Sequence, residues 1–494
     1  MRLPISAFIT YLTAFAGLTL LVISAPAQSL QPGFDKAEYI ELLKVSAQFG
    51  DSTYRANFPK PQRFRSVYRA SVVGLDNLWD LWTDGSNTVV VNVRGTTVNS
   101  VSWLENFYAA MVPAKGDLQL GDNETFAYHL ADHPRAAVHV GWLVGMAFLS
   151  RDILPKLDSS YRKGTRNVLI MGHSQGGAIA FLLTAHLHHL QRQGKLPADL
   201  RLKTYCSAGP KPGNLYFAYE YEALTQGGWA YNVVNSADWV PEVPFSIQTV
   251  NDMNTTNPFA GADKVIKKQP FLRRLVMRKV YNDLSKPALK AQKNYQKYLG
   301  NIASRTVKKN LNGYVAPDYY NSNHYVRTGN TIVLLADSAY YRRFPDSPDQ
   351  VFTHHLHPPY LLLTETTLPP VAAASVLPVG SAGGGALTGT WELDYLAQPG
   401  TSLAALYPDR RPGLTFDGPR VSGSTGCNQF NAPLTVTKSA IRFPDAMAMT
   451  RRMCPGEGEN VFLNAIRRVN RYAVDSNTLT LLTDDVAVMR FTRK

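Results

Sequence analysis

The tightest constraint on this chain is Gly172-His173-Ser174-Gln175-Gly176, which lies between a strand-like run at residues 167–171 (NVLIM) and a helix-like stretch at 176–190. Passing from strand to helix in so few residues demands a sharp turn, and that turn lifts the Ser174 hydroxyl clear of both elements. Small residues at Gly172, Gly176, Gly177 and Ala178 let the helix approach the strand closely. The start of the helix brings unpaired N–H groups and the positive end of its dipole beside the same hydroxyl. A serine placed this way is a candidate nucleophile, and it needs a base and an acid that orients the base.

The surrounding sequence predicts the fold class. Residues 88–93 (TVVVNV) and 231–234 (YNVV) read as further buried strands, with helix-like runs between them. That alternation predicts an α/β fold with a mostly parallel sheet covered by helices, the α/β-hydrolase arrangement. A hydrophobic content of 45% with 18% charged residues excludes a disordered chain. With 494 residues, more than one core is expected. In this fold the acid and the base follow the serine in that order. Asp238, just past the 231–234 strand, is the candidate acid. His324, His354, His355 and His357 all lie further on as candidate bases.

Residues 88–361 resemble the class 3 (fungal-type) lipases. The resemblance is carried in order by Val93-Arg94-Gly95-Thr96 with Trp103-Leu104-Glu105-Asn106, then Val138-His139-Val140-Gly141-Trp142 and the Ser174 motif. Ser207-Ala208-Gly209-Pro210 and the segment from Val234-Asn235 to Val240-Pro241 complete it. The resemblance implies Ser174, Asp238 and a late histidine as catalytic triad, acting through an acyl-enzyme on carboxylic esters of lipids, triacylglycerols among them. It places His324 in an earlier, non-catalytic segment, and favours His355 over His357 from its spacing to Tyr360. It also implies an oxyanion hole of two backbone N–H groups, those of Gln175 and Thr96, with Thr97 a neighbour able to share the role. No metal or cofactor is required. The His186, His188 and His189 tract, with His173, has no acidic or cysteine partner close in sequence and reads as structural. A lid is expected between Trp103 and His139.

Residues 1–27 read as a signal peptide, with Arg2, an apolar stretch and Ala25-Pro26-Ala27, so the mature protein is expected to be periplasmic, outer-membrane-associated or extracellular. The hydrolase domain is then expected at 28–367, a Pro-, Ala- and Gly-rich linker at 368–386, and a second domain at 387–494. Short strand patterns with one helix-like run at 459–469 predict a small antiparallel β-domain there. It resembles the META/HslJ family through Leu387-Thr388-Gly389-Thr390-Trp391, Ser424-Thr425-Gly426-Cys427-Asn428 and Thr450-Arg451-Arg452-Met453-Cys454. In an exported chain Cys427 and Cys454 are expected to be bonded, leaving Cys206 as the buried spare.

The net charge of +14 is concentrated: residues 264–309 hold 14 Lys and Arg against one acid, Asp283. This basic insert departs from the family pattern and mixes apolar and basic residues at helical spacing. An anionic membrane surface is the expected partner, and nucleic acid is not expected for an exported chain. Two other functions fit the sequence: a phospholipase A1 acting on anionic membranes, or a non-catalytic envelope-binding protein.

Overall fold

A computed structural model describes residues 30–257, 259, 261–367, 387–397, 403–437, 440–444, 447–452, 454, 456–474, 477–483 and 486–494. The expected signal peptide and the 368–386 linker lie outside the described residues. The chain divides into two compact units, one built mainly from 45–224 and 241–328, the other from 32–44, 225–240 and 329–494. This partition crosses the expected boundaries. Residues 32–44, 225–240 and 329–367, expected in the first domain, group with the second unit, where the strands at 230–235 and 330–334 pair with each other.

In the first unit, β1 (Arg65–Arg69), β2 (Trp79–Thr83) and β3 (Thr88–Val93) run antiparallel. β3, β4 (Asn167–His173) and β5 (Arg201–Ser207) then run parallel. Every residue of β3 and β4 is buried, as a strand covered on both faces requires. Helices α1 (Ser100–Phe107), α2 (Val140–Arg162) and α3 (Gln175–Arg192) follow β3 and flank β4. The basic insert forms α4 (Phe271–Gln296) with shorter helices on either side.

The segment expected to be a lid is part of the packed structure. Met111–Pro113 pairs with Ala137–His139, Lys115–Gly121 forms a hairpin with Glu124–His129, and Met111, Val112, Leu118 and Leu120 are buried. Apolar residues that a lid would turn towards substrate are used here as core.

In the second unit, β6 (Ala230–Asn235) and β7 (Asn330–Leu334) pair in parallel, and α5 (His357–Thr367) follows. Among strands β1 to β7 the parallel pairs (β3 with β4, β4 with β5, β6 with β7) outnumber the antiparallel ones (β1 with β2, β2 with β3), the mixed, mostly parallel arrangement that the alternation predicts. The C-terminal part is one all-antiparallel sheet of β8 (Gly389–Leu396), β9 (Gly413–Asp417), β10 (Arg420–Ser424), β11 (Gln429–Pro433), β12 (Ala448–Met449), β13 (Arg471–Val474), β14 (Thr478–Thr483) and β15 (Val486–Arg493). Alternate residues such as Trp391 and Leu393 point into its core, where α6 (Gly458–Arg467) adds Phe462, Ala465 and Ile466 from one face. Cys427 and Cys454 are bonded, and Cys206 on β5 is buried.

Candidate active site

Ser174 sits between β4 and α3 with φ 63 and ψ −132, a left-handed-region backbone rare for a residue with a side chain. The turn is held because Ser174 N–H donates to the Ser207 carbonyl at 2.9 Å and the Ser174 carbonyl accepts from Gly177 at 2.8 Å. Its tightness requires two glycines: a Cβ on Gly172 would lie 2.0 Å from the Gly176 carbonyl oxygen, and one on Gly176 would lie 2.2 Å from that of Val93. Gln175 is the first residue of α3, so its N–H has no partner within the helix and is available to a developing oxyanion.

The loop after β3 is locked to this turn. Thr96 Oγ1 donates to Gln175 Oε1 at 2.7 Å and accepts from Asn106 Nδ2 at 2.9 Å. Asn106 Oδ1 in turn accepts from Trp142 Nε1 at 2.9 Å. Thr97 points its hydroxyl elsewhere, to Asp76, which also pairs with Arg94 at 3.3 Å. Thr96 is thus the threonine tied to the nucleophile turn.

Beneath the loop, Glu105 of α1 is fully buried and accepts from Asn77 Nδ2 at 2.6 Å. Burial pushes its carboxyl up to about 8, so it is neutral at pH 7. Because the folded pKa lies above the ordinary value of 4.5, the contribution of this group to stability is complete below pH 4.5 and is lost as pH rises through 8. Unfolding stability is therefore expected to fall by roughly 1.4 kcal/mol per pH unit from this group between those limits. Glu105→Gln should flatten that slope in urea titrations at pH 5 to 8. An unchanged slope in the variant would remove Glu105 from the account.

The second unit holds the other candidates. Asp238 lies just past β6 and is buried. Its Oδ2 is 2.8 Å from His355 Nδ1 and accepts from Tyr360 Oη at 2.8 Å, while Oδ1 accepts from Val240 N–H at 3.0 Å. Asn235 N–H donates to Tyr360 Oη at 3.1 Å, which ties α5 to the end of β6. With its Nδ1 held by the acid, the His355 ring is oriented as the base of a triad requires. The other histidines are placed differently. His354 joins Tyr340 Oη at 2.8 Å through Nδ1 and Asp346 at 2.9 Å through Nε2. His357 opens α5, and desolvation pushes its pKa down to about 3. His324 lies in the first unit, half-buried, with desolvation lowering its pKa.

Sequence reasoning used Tyr360 only as a spacing mark and missed its bond to Asp238. It also missed Asn106 as the link between Thr96 and Trp142. In the histidine tract, the structure corrects the view that no acid is near. His129 pairs with Asp132 at 2.6 Å, and its ring stacks on that of His189 with centroids 3.9 Å apart and planes within 18°. The ligand atoms of His129, Asp132 and His189 lie within 4.8 Å of one another, close enough to share a cation.

A strained serine at a strand-to-helix turn in one unit and a buried acid–histidine pair in the other are the kinds of part that serine ester hydrolysis requires. Residues 90–248 match the class 3 lipase family and residues 385–494 match the META domain. The chain carries a class 3 lipase domain followed by a META domain, and is a carboxylic ester hydrolase. No curated protein sequence matches it. Among solved structures, a fungal lipase–inhibitor complex aligns at 20% identity over 42% of this chain and 74% of its own, with a TM-score of 0.33. A triacylglycerol lipase from Penicillium expansum aligns at 17% over 43% and 75%, TM-score 0.32. A lipase from Yarrowia lipolytica aligns at 20% over 44% and 78%, TM-score 0.32.

Proposed function

We propose that this protein is an exported lipase that cleaves carboxylic esters of lipids, triacylglycerols included, through Ser174, His355 and Asp238. The observation that carries the reading is the Asp238–His355 bond of 2.8 Å between two buried side chains, in a chain that also presents Ser174 on a strained turn. His355 takes the Ser174 proton as the hydroxyl attacks the ester carbonyl. The N–H groups of Gln175 and Thr96 receive the negative charge on the carbonyl oxygen, each contributing about 3 kcal/mol in the transition state. His355 then returns the proton to the leaving alcohol. Water, activated by the same histidine, releases the acyl group. Asp238 holds the ring in the tautomer this requires and stabilises its charged form.

Exposed apolar residues support a lipid substrate. Val98, two residues past Thr96, and Phe107, at the end of α1, both face solvent. Export follows from the 1–27 segment, and is tested by the N-terminus of the mature protein. For specificity the test is a substrate panel of graded p-nitrophenyl esters, triacylglycerol emulsion and phospholipid vesicles. The emulsion is expected to be turned over faster than soluble short esters. Preference for phospholipid would make the protein a phospholipase A1, and preference for soluble esters over both lipids would overturn the lipase reading.

A further inference from the structure

The orientation of α4 is inverted relative to an ordinary surface helix. Leu272, Val276, Val280 and Leu284 follow one another at intervals of four and form a stripe along the helix. They are 75%, 64%, 53% and 76% exposed. Along the first half of the helix the side that packs is polar, with Arg274, Arg278, Tyr281 and Ser285 half-buried; further on Ala288, Leu289 and Ala291 are half-buried and Gln292 is buried, its Nε2 donating to the Asn321 carbonyl at 3.0 Å. Tyr295 also rests near Tyr325, with ring centroids 6.5 Å apart. The C-terminal half of the helix is thus anchored, and an apolar stripe faces outward along the rest. On the 3.6-residue period, Lys279, Lys286, Lys290 and Lys293 flank that stripe, all exposed.

We propose that α4 docks the enzyme on an anionic lipid bilayer, with the stripe entering the acyl boundary and the lysines on lipid phosphates. Two features choose this partner. A polyphosphate strand would engage the lysines but give nothing to a ridge of Leu and Val. A second copy of the chain would bring the same excess of 14 basic residues over one acid in 264–309, so the two faces repel. Among the described residues no helix is long and apolar enough to cross a membrane, so α4 lies on the surface. This goes beyond the hydrolytic reading and does not depend on it, because binding can be measured on lipids without ester bonds.

The test is flotation of the full chain with vesicles of ether-linked phosphatidylcholine, with and without ether-linked phosphatidylglycerol. Wild type is expected to bind the anionic vesicles and leave the neutral ones. Lys286→Glu with Lys290→Glu and Lys293→Glu should weaken binding by about 100-fold or more. Leu272→Ser with Val276→Ser, Val280→Ser and Leu284→Ser should weaken it by about tenfold or more. Both variants alter exposed positions and should keep wild-type turnover of a soluble ester, which reports folding. Val276→Trp should shift its emission to the blue on anionic vesicles only. Wild-type binding by either multiple variant, equal binding to neutral vesicles, or tighter binding to duplex DNA with no blue shift would each overturn the proposal.

Discussion

Ser174→Ala is expected to lower the turnover of p-nitrophenyl butyrate by about a millionfold, because it removes the nucleophile that forms the acyl-enzyme. His355→Ala should cost about as much, since a serine hydroxyl without its base stays protonated. The double variant should be no worse than either single one, as groups that act as a unit do not add. His357→Ala and His324→Ala are the controls, each expected within about tenfold of wild type because the ring on Asp238 Oδ2 is that of His355. Circular dichroism of each variant checks the fold. Full activity in His355→Ala, or a collapse confined to His357→Ala or His324→Ala, would reassign the base.

Asp238→Asn should reduce turnover by about 10⁴ while leaving KM nearly unchanged. The amide keeps the shape of the carboxylate but turns a donor towards His355 Nδ1, so the ring takes the wrong tautomer and its charged form loses its partner. Tyr360→Phe separates holding the acid from being the acid. It removes one of the donors to Asp238 Oδ2 and leaves His355 bonded. Its expected cost is about 2 kcal/mol of stability with a much smaller loss of turnover. Equal losses in Asp238→Asn and Tyr360→Phe would mean that Asp238 acts only as a structural anchor for α5.

Ester hydrolysis by this chain rests on parts with different legibility. The turn at Ser174 could be read because its cause is local: β-branched residues before it, small residues within and after it, and a helix with no room to begin gradually. The strands of the C-terminal domain were readable for the same kind of reason, since alternation with a period of two shows in a few residues. The identity of the base was less accessible. His354, His355 and His357 differ little in local surroundings, and spacing to Tyr360 only ranks them. The structure separates them by what each ring meets, Asp346 and Tyr340 for His354 and Asp238 for His355.

The same contrast explains the two departures from expectation. The 103–139 segment has the apolar content of a lid, but Met111, Val112, Leu118 and Leu120 are buried in strands that pair within the segment and, through Met111 and Gln119, with Tyr320 and Val315 far along the chain. His129, Asp132 and His189 are scattered in sequence and meet because a hairpin strand and α3 carry them to one place. By itself, then, the sequence determined the nucleophile turn, the α/β and β-domain architecture and the concentration of charge in 264–309, all consequences of short-range backbone preference and composition. Only the tertiary structure decided which histidine holds Asp238, that Tyr360 shares that carboxylate, and that the apolar edge of α4 faces outward. Those depend on side chains that approach one another across a hundred residues or more, or on which face of a helix finds a partner, and no local preference encodes either.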